Sequence, residues 1–219
     1  MNKISYFNVI GPVMIGPSSS HTAGAVRIGR AARSIVEPGY YKINFKLYGS
    51  FASTYKGHGT DKALVAGSLG FRSDDERIKE AFQIAKDQGL EISFEEVNLV
   101  NAHPNTAIVE FYYKDGHKKC VQGISTGGGQ IEIVKIDGQD VKIYPGDPTI
   151  ILQYKDKPGI ISRVSTILAN TGYNIEKIMN NRDEGEVTLV IILDKKLDKK
   201  VFEDISRSGD YDHSTYVYF

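Results

Sequence analysis

The sequence predicts an α+β protein with two domains, over residues 1–145 and 148–219. Two turn signals, Asp137-Gly138 and the run Pro145-Gly146-Asp147-Pro148, interrupt the chain where these domains divide. Before the turns, amphipathic helices are mixed with alternating strands, and after them the segments follow in the order βαββαβ. At 219 residues the chain is long enough for two such domains, each with a core of its own.

The first domain is predicted to place helices against a mixed or antiparallel sheet. A helix begins in the serine run near residue 18 and continues to about Val36. Residues 43–50 alternate between apolar and polar side chains, which is typical of a half-buried strand. A short helix is predicted over 59–70.

The rest of the first domain is predicted to hold one more helix and four strands. Ser73 and Glu76 have the spacing of a capping box, which would open a helix that ends at Gly89. The strands are predicted over 91–97, 106–113, 117–125 and 131–136, with an Asp-Gly turn between the middle two.

The second domain is predicted from four strand patterns and two helix patterns. Its strands are TIILQY (149–154), NIEKIMNNR (174–182), EVTLVIILD (186–194) and HSTYVYF (213–219). Its helices are IISRVSTILANTG (160–172), with Gly172 as the C-cap, and DKKVFEDISRSG (198–209). This order predicts a ferredoxin-like sandwich, with both helices on one face of an antiparallel sheet.

Composition excludes several classes of partner. Lys plus Arg and Asp plus Glu both number 27, so the chain has no net field that would attract nucleic acid. No apolar run approaches the ~20 residues of a membrane helix, and the N-terminus lacks the pattern of a signal peptide. The one cysteine, Cys120, cannot form an internal disulfide, which indicates a reducing cytoplasm. It also cannot hold an all-cysteine metal cluster by itself.

A run of hydroxyl and imidazole groups, Ser18-Ser19-Ser20-His21-Thr22, stands at the start of the first helix. One serine suffices to cap a helix, because its oxygen accepts a hydrogen bond from a free N–H of the first turn. Helix N-termini also bind carboxylates through their free N–H groups and dipole. From the residues alone, capping and ligand binding both remain open.

Two further polar segments contain histidine. In Lys56-Gly57-His58-Gly59-Thr60-Asp61, the flanking glycines allow a close approach to a ligand, and the histidine is a candidate for proton transfer. The alternative is an inert loop histidine beside a helix cap. Asn101-Ala102-His103-Pro104-Asn105-Thr106 offers two amides and a histidine as hydrogen-bonding groups, although for any single residue an ordinary turn before proline is a strong alternative.

Two other patterns favour structural roles. Ser125-Thr126-Gly127-Gly128-Gly129-Gln130 lacks the residues of a phosphate loop and indicates a flexible hairpin or close backbone packing. Arg27, Arg30 and Arg33 recur at helical spacing and are expected on a solvated face.

Three segments in this order, followed by the βαββαβ pattern, resemble a known family. They are GPSSSHTAGAVRIGR (16–30), LYGSFASTYKGHGTD (47–61) and NAHPNT (101–106). The chain resembles the β subunit of bacterial iron–sulfur-dependent L-serine dehydratase over essentially its whole length. The resemblance implies an allosteric substrate-binding-like first domain, an ACT domain after it, and a separate α subunit that holds a [4Fe–4S] cluster.

The resemblance also implies roles for individual residues. His21 and His58 would be the catalytic candidates, facing a cleft shared with the α subunit. The residues that would bind the substrate are Ser18, Ser19, Ser20, Thr22, Lys56, Thr60, Asp61, His103 and Asn105. Two flanking positions depart from the family pattern, because Tyr55 stands where glycine is expected and Ala102 where threonine is expected.

The implied reaction is an ammonia-lyase reaction, in which L-serine is deaminated to pyruvate and ammonia. The α-proton and the β-hydroxyl leave to give aminoacrylate, which tautomerises and hydrolyses. An open site on a cluster iron could act as Lewis acid on the hydroxyl. Helix N–H groups and serine hydroxyls suit the substrate carboxylate.

The ACT resemblance implies side-by-side association of copies and an amino-acid site after the first strand of the module. The candidate residues are Asp156, Gly159 and Asn174. A tight turn and a dimerisation surface without a ligand are the alternative. Two other functions remain open, a non-catalytic amino-acid sensor that uses this module and a dimerising scaffold.

Overall fold

The computed structural model of the protein describes residues 14–219. The chain forms two compact units, with the boundary between Gly138 and Gln139.

Over residues 14–138, the first unit contains four α-helices and five strands. Its helices are α1 (Ala25–Ile35), α2 (Ser50–His58), α3 (Thr60–Ser68) and α4 (Ala81–Asp87). Its strands are β1 (Lys42–Gly49), β2 (Glu91–Glu96), β3 (Asn105–Tyr112), β4 (Lys118–Gly127) and β5 (Gln130–Ile136). A π-helical turn, Ser19–Gly24, precedes α1, and a 3-10 helix, Glu76–Glu80, precedes α4.

The strands of this unit follow the order β2-β1-β3-β4-β5, in which β1 pairs parallel with β2 and antiparallel with β3. The sheet is therefore mixed, as predicted. Ile43, Phe45 and Leu47 of β1 are buried because alternate side chains of a strand share a face. Ile28 of α1 covers that face at β4, where Gly123 leaves room for it.

Helices α1 and α3 pack backbone to backbone through two glycines. A Cβ atom at Gly67 would lie 2.1 Å from the carbonyl oxygen of Val26, and one at Gly29 would lie 2.5 Å from that of Leu64. Neither position can hold a side chain unless the helices move apart. The glycines therefore set the spacing between α1 and α3.

Two local features of this unit differ from the sequence prediction. Residues Ser50–His58 form the helix α2, where the sequence predicts no helix. The cap of the 3-10 helix is Asp75, whose Oδ1 accepts a hydrogen bond from the N–H of Arg77 at 3.0 Å, and not Ser73. Asp75 competes successfully because its side chain also pairs with the Arg77 guanidinium.

Glu110 of β3 is a buried carboxylate on the sheet. Lys118 Nζ donates to its Oε1 at 2.9 Å, and Tyr112 Oη and Asn44 Nδ2 donate to its Oε2 at 2.9 and 3.2 Å. Burial alone would raise the pKa of Glu110, but these hydrogen bonds outweigh it and lower the pKa to about 2.

Because the pKa of Glu110 is lower in the folded chain, its stabilising contribution is present above the ordinary glutamate pKa. It is lost as the pH falls from about 4.5 toward about 2. We expect Glu110→Gln to lower the free energy of unfolding by ~1.5–3 kcal/mol at pH 7, where charged hydrogen bonds are lost. Urea unfolding at pH 7 and pH 3 measures this. A difference between variant and parent that does not shrink at pH 3 contradicts the assignment.

The second unit contains the remaining strands and two helices. Its elements are β6 (Gln139–Ile143), β7 (Thr149–Lys155), α5 (Ile160–Asn170), β8 (Ile175–Asp183), β9 (Glu186–Leu193), α6 (Lys199–Arg207) and β10 (His213–Val217). Four of the strands form an antiparallel sheet in the order β10-β7-β9-β8. Val164 of α5 and Ile205 of α6 share one core with Leu152 and Leu189. Both helices therefore cover the same face, which confirms the predicted ferredoxin-like fold.

Candidate active site

The serine run forms a π-helical turn in front of α1. Ser18 is extended (φ −141°, ψ 127°), and its Oγ accepts a hydrogen bond from the N–H of His21 at 3.2 Å. Ser18 is therefore the cap. The next six residues, Ser19–Gly24, are π-helical, a conformation that is rare and frequently found at functional sites.

The His21 ring is held between hydroxyl groups on both sides. Its Nδ1 lies 3.0 Å from Ser20 Oγ and 3.4 Å from Ser18 Oγ. Its Nε2 lies 2.9 Å from Oγ of Ser50, the first residue of α2. A neutral imidazole has one donor and one acceptor nitrogen, and hydroxyl groups can match either assignment.

The surroundings of His21 favour its neutral form. The residue is 8% exposed and packs edge-on against Phe51, with ring centroids 5.2 Å apart. The ring of His58 lies 5.0 Å away in the same arrangement. Burial lowers the pKa of His21 below 6.5, and the nearby His58 lowers it further. At neutral pH the ring can therefore accept a proton.

The Lys56-His58 segment is the last turn of α2, and its side chains are exposed. The helix ends at Gly59, which is left-handed (φ 68°), as a C-cap glycine commonly is. Thr22 Oγ1 donates to the carbonyl oxygen of His58 at 3.4 Å. This contact ties the end of α2 to the π-helical turn.

A cavity of about 390 Å³ opens beside His58. Three lysines, Lys56, Lys62 and Lys79, line it together with Thr22, His58, the glycines and proline beside them, and the apolar residues Ile15 and Ile78. His21 is not among the lining residues, but its ring lies 5.0 Å from that of His58. None of the described residues that line it is acidic, so the cleft is suited to an anionic group. We call it the lysine cleft.

Thr60 and Asp61 open α3 and do not line the lysine cleft. Thr60 is fully buried, and its Oγ1 has no hydrogen-bond partner among the described residues. Asp61 Oδ1 accepts a hydrogen bond from the N–H of Lys62 at 2.7 Å, while burial raises its pKa.

The third polar segment contacts the start of α2 and β4 and does not line the cleft. His103 Nδ1 accepts a hydrogen bond from the N–H of Asn105 at 3.1 Å, and Asn105 Nδ2 donates to the carbonyl oxygen of Ser125 at 3.2 Å. The carbonyl oxygen of Pro104 accepts from the N–H of Phe51 at 3.3 Å. This segment therefore braces α2 and β4.

Tyr55, one of the departures from the family pattern, has a packing role. Its ring stacks on Phe94 of β2, with centroids 5.7 Å apart, and Phe94 in turn stacks on Phe45 of β1 at 4.9 Å. The stack anchors the exposed helix α2 to the sheet.

The described residues do not form a ligand set for a metal cluster. Within residues 14–219, no three His, Cys, Asp or Glu side chains are placed together to hold a metal ion. Cys120 is half-buried in β4, and burial raises the pKa of its thiol to about 11, whereas a ligand cysteine must be a thiolate. No helix of that same region is long and apolar enough to cross a membrane.

The candidate effector residues of the second unit fall at two ends of its sheet. Asp156 and Gly159 follow β7, where Arg182 Nε of β8 donates to Asp156 Oδ2 at 3.0 Å. Gly159 is left-handed (φ 91°) and opens α5. Asn174 precedes β8, at the opposite end, where its N–H donates to Asp194 Oδ1. One chain therefore does not bring Asn174 together with the other two.

Fold and site together define a class of protein: a two-unit α+β chain that carries a hydroxyl-held histidine beside a cationic cleft, followed by a βαββαβ module. Comparison with known proteins gives the family. Residues 5–89 match the family described as serine dehydratase beta chain, and residues 149–210 match the ACT domain.

The relatives agree with these matches over almost the whole chain. It is 45% identical to the L-serine dehydratase beta chain of Peptoniphilus asaccharolyticus, covering 94% of this chain and 92% of the relative. It is 43% identical to the probable L-serine dehydratase beta chain of Bacillus subtilis (strain 168), covering 94% of each. A D-3-phosphoglycerate dehydrogenase of Archaeoglobus fulgidus is 24% identical over 97% of this chain, which corresponds to 39% of that relative. The chain belongs to the serine dehydratase beta-chain family, which confirms the resemblance drawn from its sequence.

Three residues of the site were not singled out from the sequence. Ser50 contacts His21, and Lys62 and Lys79 line the lysine cleft. Ser50 carried one usable signal, because it is a polar residue directly after a strand, whereas the two lysines carried none. Ser125, which contacts the π-helical turn, was named in the sequence only as part of a structural hairpin.

Proposed function

We propose that this chain is the β subunit of an L-serine dehydratase, which deaminates L-serine to pyruvate and ammonia with an α subunit. The observation that carries the proposal is the buried His21 ring, which is held between Ser20 and Ser50 and lies 5.0 Å from the ring of His58 at the lysine cleft. Two relatives named as beta chains support a two-subunit enzyme.

We also propose that the chain divides into a first domain over residues 1–145 and an ACT domain over residues 148–219.

The [4Fe–4S] cluster of the proposed enzyme would be held mainly by the α subunit, because this chain offers no ligand set for it within the described residues. Cys120 is the one cysteine of the sequence, so the chain cannot form an internal disulfide. This supports a reducing cytoplasm as the compartment in which the enzyme works.

The residues of this chain would perform the binding and proton-transfer steps. The lysine cleft and the serine hydroxyls would hold the substrate carboxylate. His21 would accept the α-proton, and the C–H electron pair would form the double bond of aminoacrylate as the β-hydroxyl leaves. His58 is the second candidate for proton transfer. Aminoacrylate tautomerises to an imine, and water hydrolyses it to pyruvate and ammonia.

Co-expression with a cysteine-bearing α subunit under anaerobic conditions tests the proposal. The two chains should co-purify and produce pyruvate from L-serine, whereas each chain alone should not. A co-purified pair that holds its cluster but leaves L-serine unchanged would be evidence against this function.

We expect Lys62→Gln to raise the KM for L-serine about tenfold, which corresponds to ~1.4 kcal/mol. The lysine lines the cleft without contacting His21, so its charge should affect carboxylate binding more than proton transfer. Steady-state kinetics measure KM and kcat separately. Lys86→Gln, on the exposed surface of α4, is the control and should leave both constants unchanged.

A non-catalytic amino-acid sensor is the second candidate function. The ACT domain favours it, with the left-handed Gly159 opening α5 beside Asp156. This candidate requires two copies to associate through the ACT domain so that Asn174 of one copy lies near those residues of the other. Calorimetric titration of the chain with L-serine tests this candidate. Tight binding that Asp156→Asn abolishes, together with failure to associate with any α subunit, would favour the sensor.

A further inference from the structure

The π-helical turn Ser19–Gly24 requires contacts from outside to persist, because π-helical geometry is rare and usually confined to a single turn. Ser125 of β4 supplies one of these contacts. Its side chain is fully buried, and its Oγ donates to the carbonyl oxygen of Ser20 at 3.0 Å.

The fit between Ser125 and the turn is close. A Cβ atom at Gly24 would lie 2.2 Å from Ser125 Oγ and 2.8 Å from Ser125 Cβ. Glycine at position 24 therefore lets the serine hydroxyl reach the backbone of the turn.

The third polar segment holds Ser125 from its other side. Asn105 Nδ2 donates to the carbonyl oxygen of Ser125 at 3.2 Å, and His103 Nδ1 accepts from the N–H of Asn105 at 3.1 Å. Thr106 pairs with Ile124 in the sheet, so Asn105 and Ser125 are neighbours across β3 and β4. Asn105 Nδ2 and His103 Nδ1 therefore form hydrogen bonds within the protein.

The glycine hairpin that follows Ser125 is attached to α1. Arg27 Nη1 donates to the carbonyl oxygen of Gly129 at 2.7 Å. Arg27 is half-buried, so the expectation that it lies on a solvated face was wrong. The hairpin is therefore fixed at both ends against the helix that carries the π-helical turn.

We propose that Ser125 is a positioning residue that holds His21 in its reactive orientation through Ser20. The links run from Asn105 to Ser125, from Ser125 to the backbone of Ser20, and from Ser20 Oγ to His21 Nδ1 at 3.0 Å. Ser125 does not line the lysine cleft, and its hydroxyl donates to the backbone of Ser20 and not to the His21 ring. The catalytic part of this inference rests on the proposed function, whereas the structural part does not.

Ser125 can affect His21 because it stabilises the π-helical geometry of the turn. Without the Ser125 hydroxyl, the carbonyl oxygen of Ser20 loses its partner from β4, and the turn can relax toward α-helical geometry. Such a change rotates His21 about the helix axis and removes its Nε2 from Ser50 Oγ. A displacement of about 1 Å at a catalytic group can cost ~10²-fold in rate.

Ser125→Ala tests the proposal with two readouts. Nitrogen-15 NMR titration of the chain alone should show a changed His21 tautomer ratio and a pKa nearer its ordinary value, because water reaches a loosened ring. In the co-purified enzyme, kcat should fall by up to ~10²-fold while KM changes much less. Ser125→Thr keeps the hydroxyl and should recover most of the His21 titration.

The matched control is Ser34→Ala. This removes a hydroxyl that bonds to the carbonyl oxygen of Ala31 on α1, away from the turn, and should change neither readout. If Ser125→Ala does not fold, Asn105→Ala removes the link one step earlier and should move the His21 titration in the same direction.

The outcomes separate this inference from the proposed function. Unchanged His21 titration and kcat in folded Ser125→Ala would overturn the inference. A shifted titration in a chain whose parent enzyme makes no pyruvate would support the positioning role and reject the dehydratase.

Discussion

Replacing His21 with alanine should lower kcat of the co-purified enzyme by roughly 10²–10⁴-fold, the range that general acid–base groups contribute. The imidazole is the buried, neutral base candidate, and neither Ser20 nor Ser50 can replace it as a proton acceptor at neutral pH. Pyruvate formation from L-serine measures the rate, and circular dichroism checks the fold. His117→Ala removes an exposed histidine at a distant turn and should leave kcat unchanged.

The pH profile gives an independent check of the same assignment. Because burial and His58 lower the pKa of His21, the base stays neutral as the pH falls below 6.5, and the acidic limb of kcat/KM should lie below that value. In His58→Gln the contribution of the second histidine is removed, and the limb should move toward 6.5. A limb that does not move, or full activity in His21→Ala, would assign the base to another group.

Most of the fold was predictable because its elements carry local periodicity. Residues 43–47 alternate strictly, and the buried members are the apolar ones. In the second unit, Val164 and Leu168 recur at helical spacing and face the core. Sandwich topology follows from the order of such elements, since few connections are allowed.

Helix α2 was not predictable by these means. Its sequence, SFASTYKGH, buries Phe51 as its one core residue and shows no apolar stripe. The helix is set from outside instead, by the Tyr55–Phe94 stack and by the left-handed Gly59 that ends it. Tertiary contacts here override a weak local preference.

The site was predictable only where its residues stand together in the sequence. Residues 18–22 and the segment around His58 are dense in polar side chains, and the sequence therefore singles them out as candidates. Ser50 lies 29 residues from His21, and Ser125 lies 105 residues from Ser20. These contacts arise because β1 and β4 end beside the π-helical turn. A local sequence pattern cannot predict that proximity.

Gly67→Ala should cost the first unit about 3 kcal/mol of unfolding free energy or more, at the upper end of overpacking effects. The added methyl group would lie 2.1 Å from the carbonyl oxygen of Val26 and 3.0 Å from the N of Arg30. Both atoms belong to the backbone of α1, which cannot rotate aside as a side chain can. Helices α1 and α3 must therefore separate.

The effect should extend to the site because these two helices carry its halves. The π-helical turn with His21 leads directly into α1, and α3 begins at Thr60, two residues after His58. A wider spacing between α1 and α3 should separate the two rings, so kcat should fall with stability. Urea unfolding, followed by far-UV circular dichroism, measures the loss of stability. The pyruvate assay measures the fall in kcat.

Gly57→Ala is the matched control, since Gly57 is also helical but a Cβ atom there would meet nothing within 4 Å. Alanine in place of a helical glycine should stabilise by ~0.5–1 kcal/mol. The two variants add the same methyl group, so a difference in sign between them isolates the contact with α1. Equal and small effects would show that α1 and α3 can separate freely, and that their glycines do not set the distance between His21 and His58.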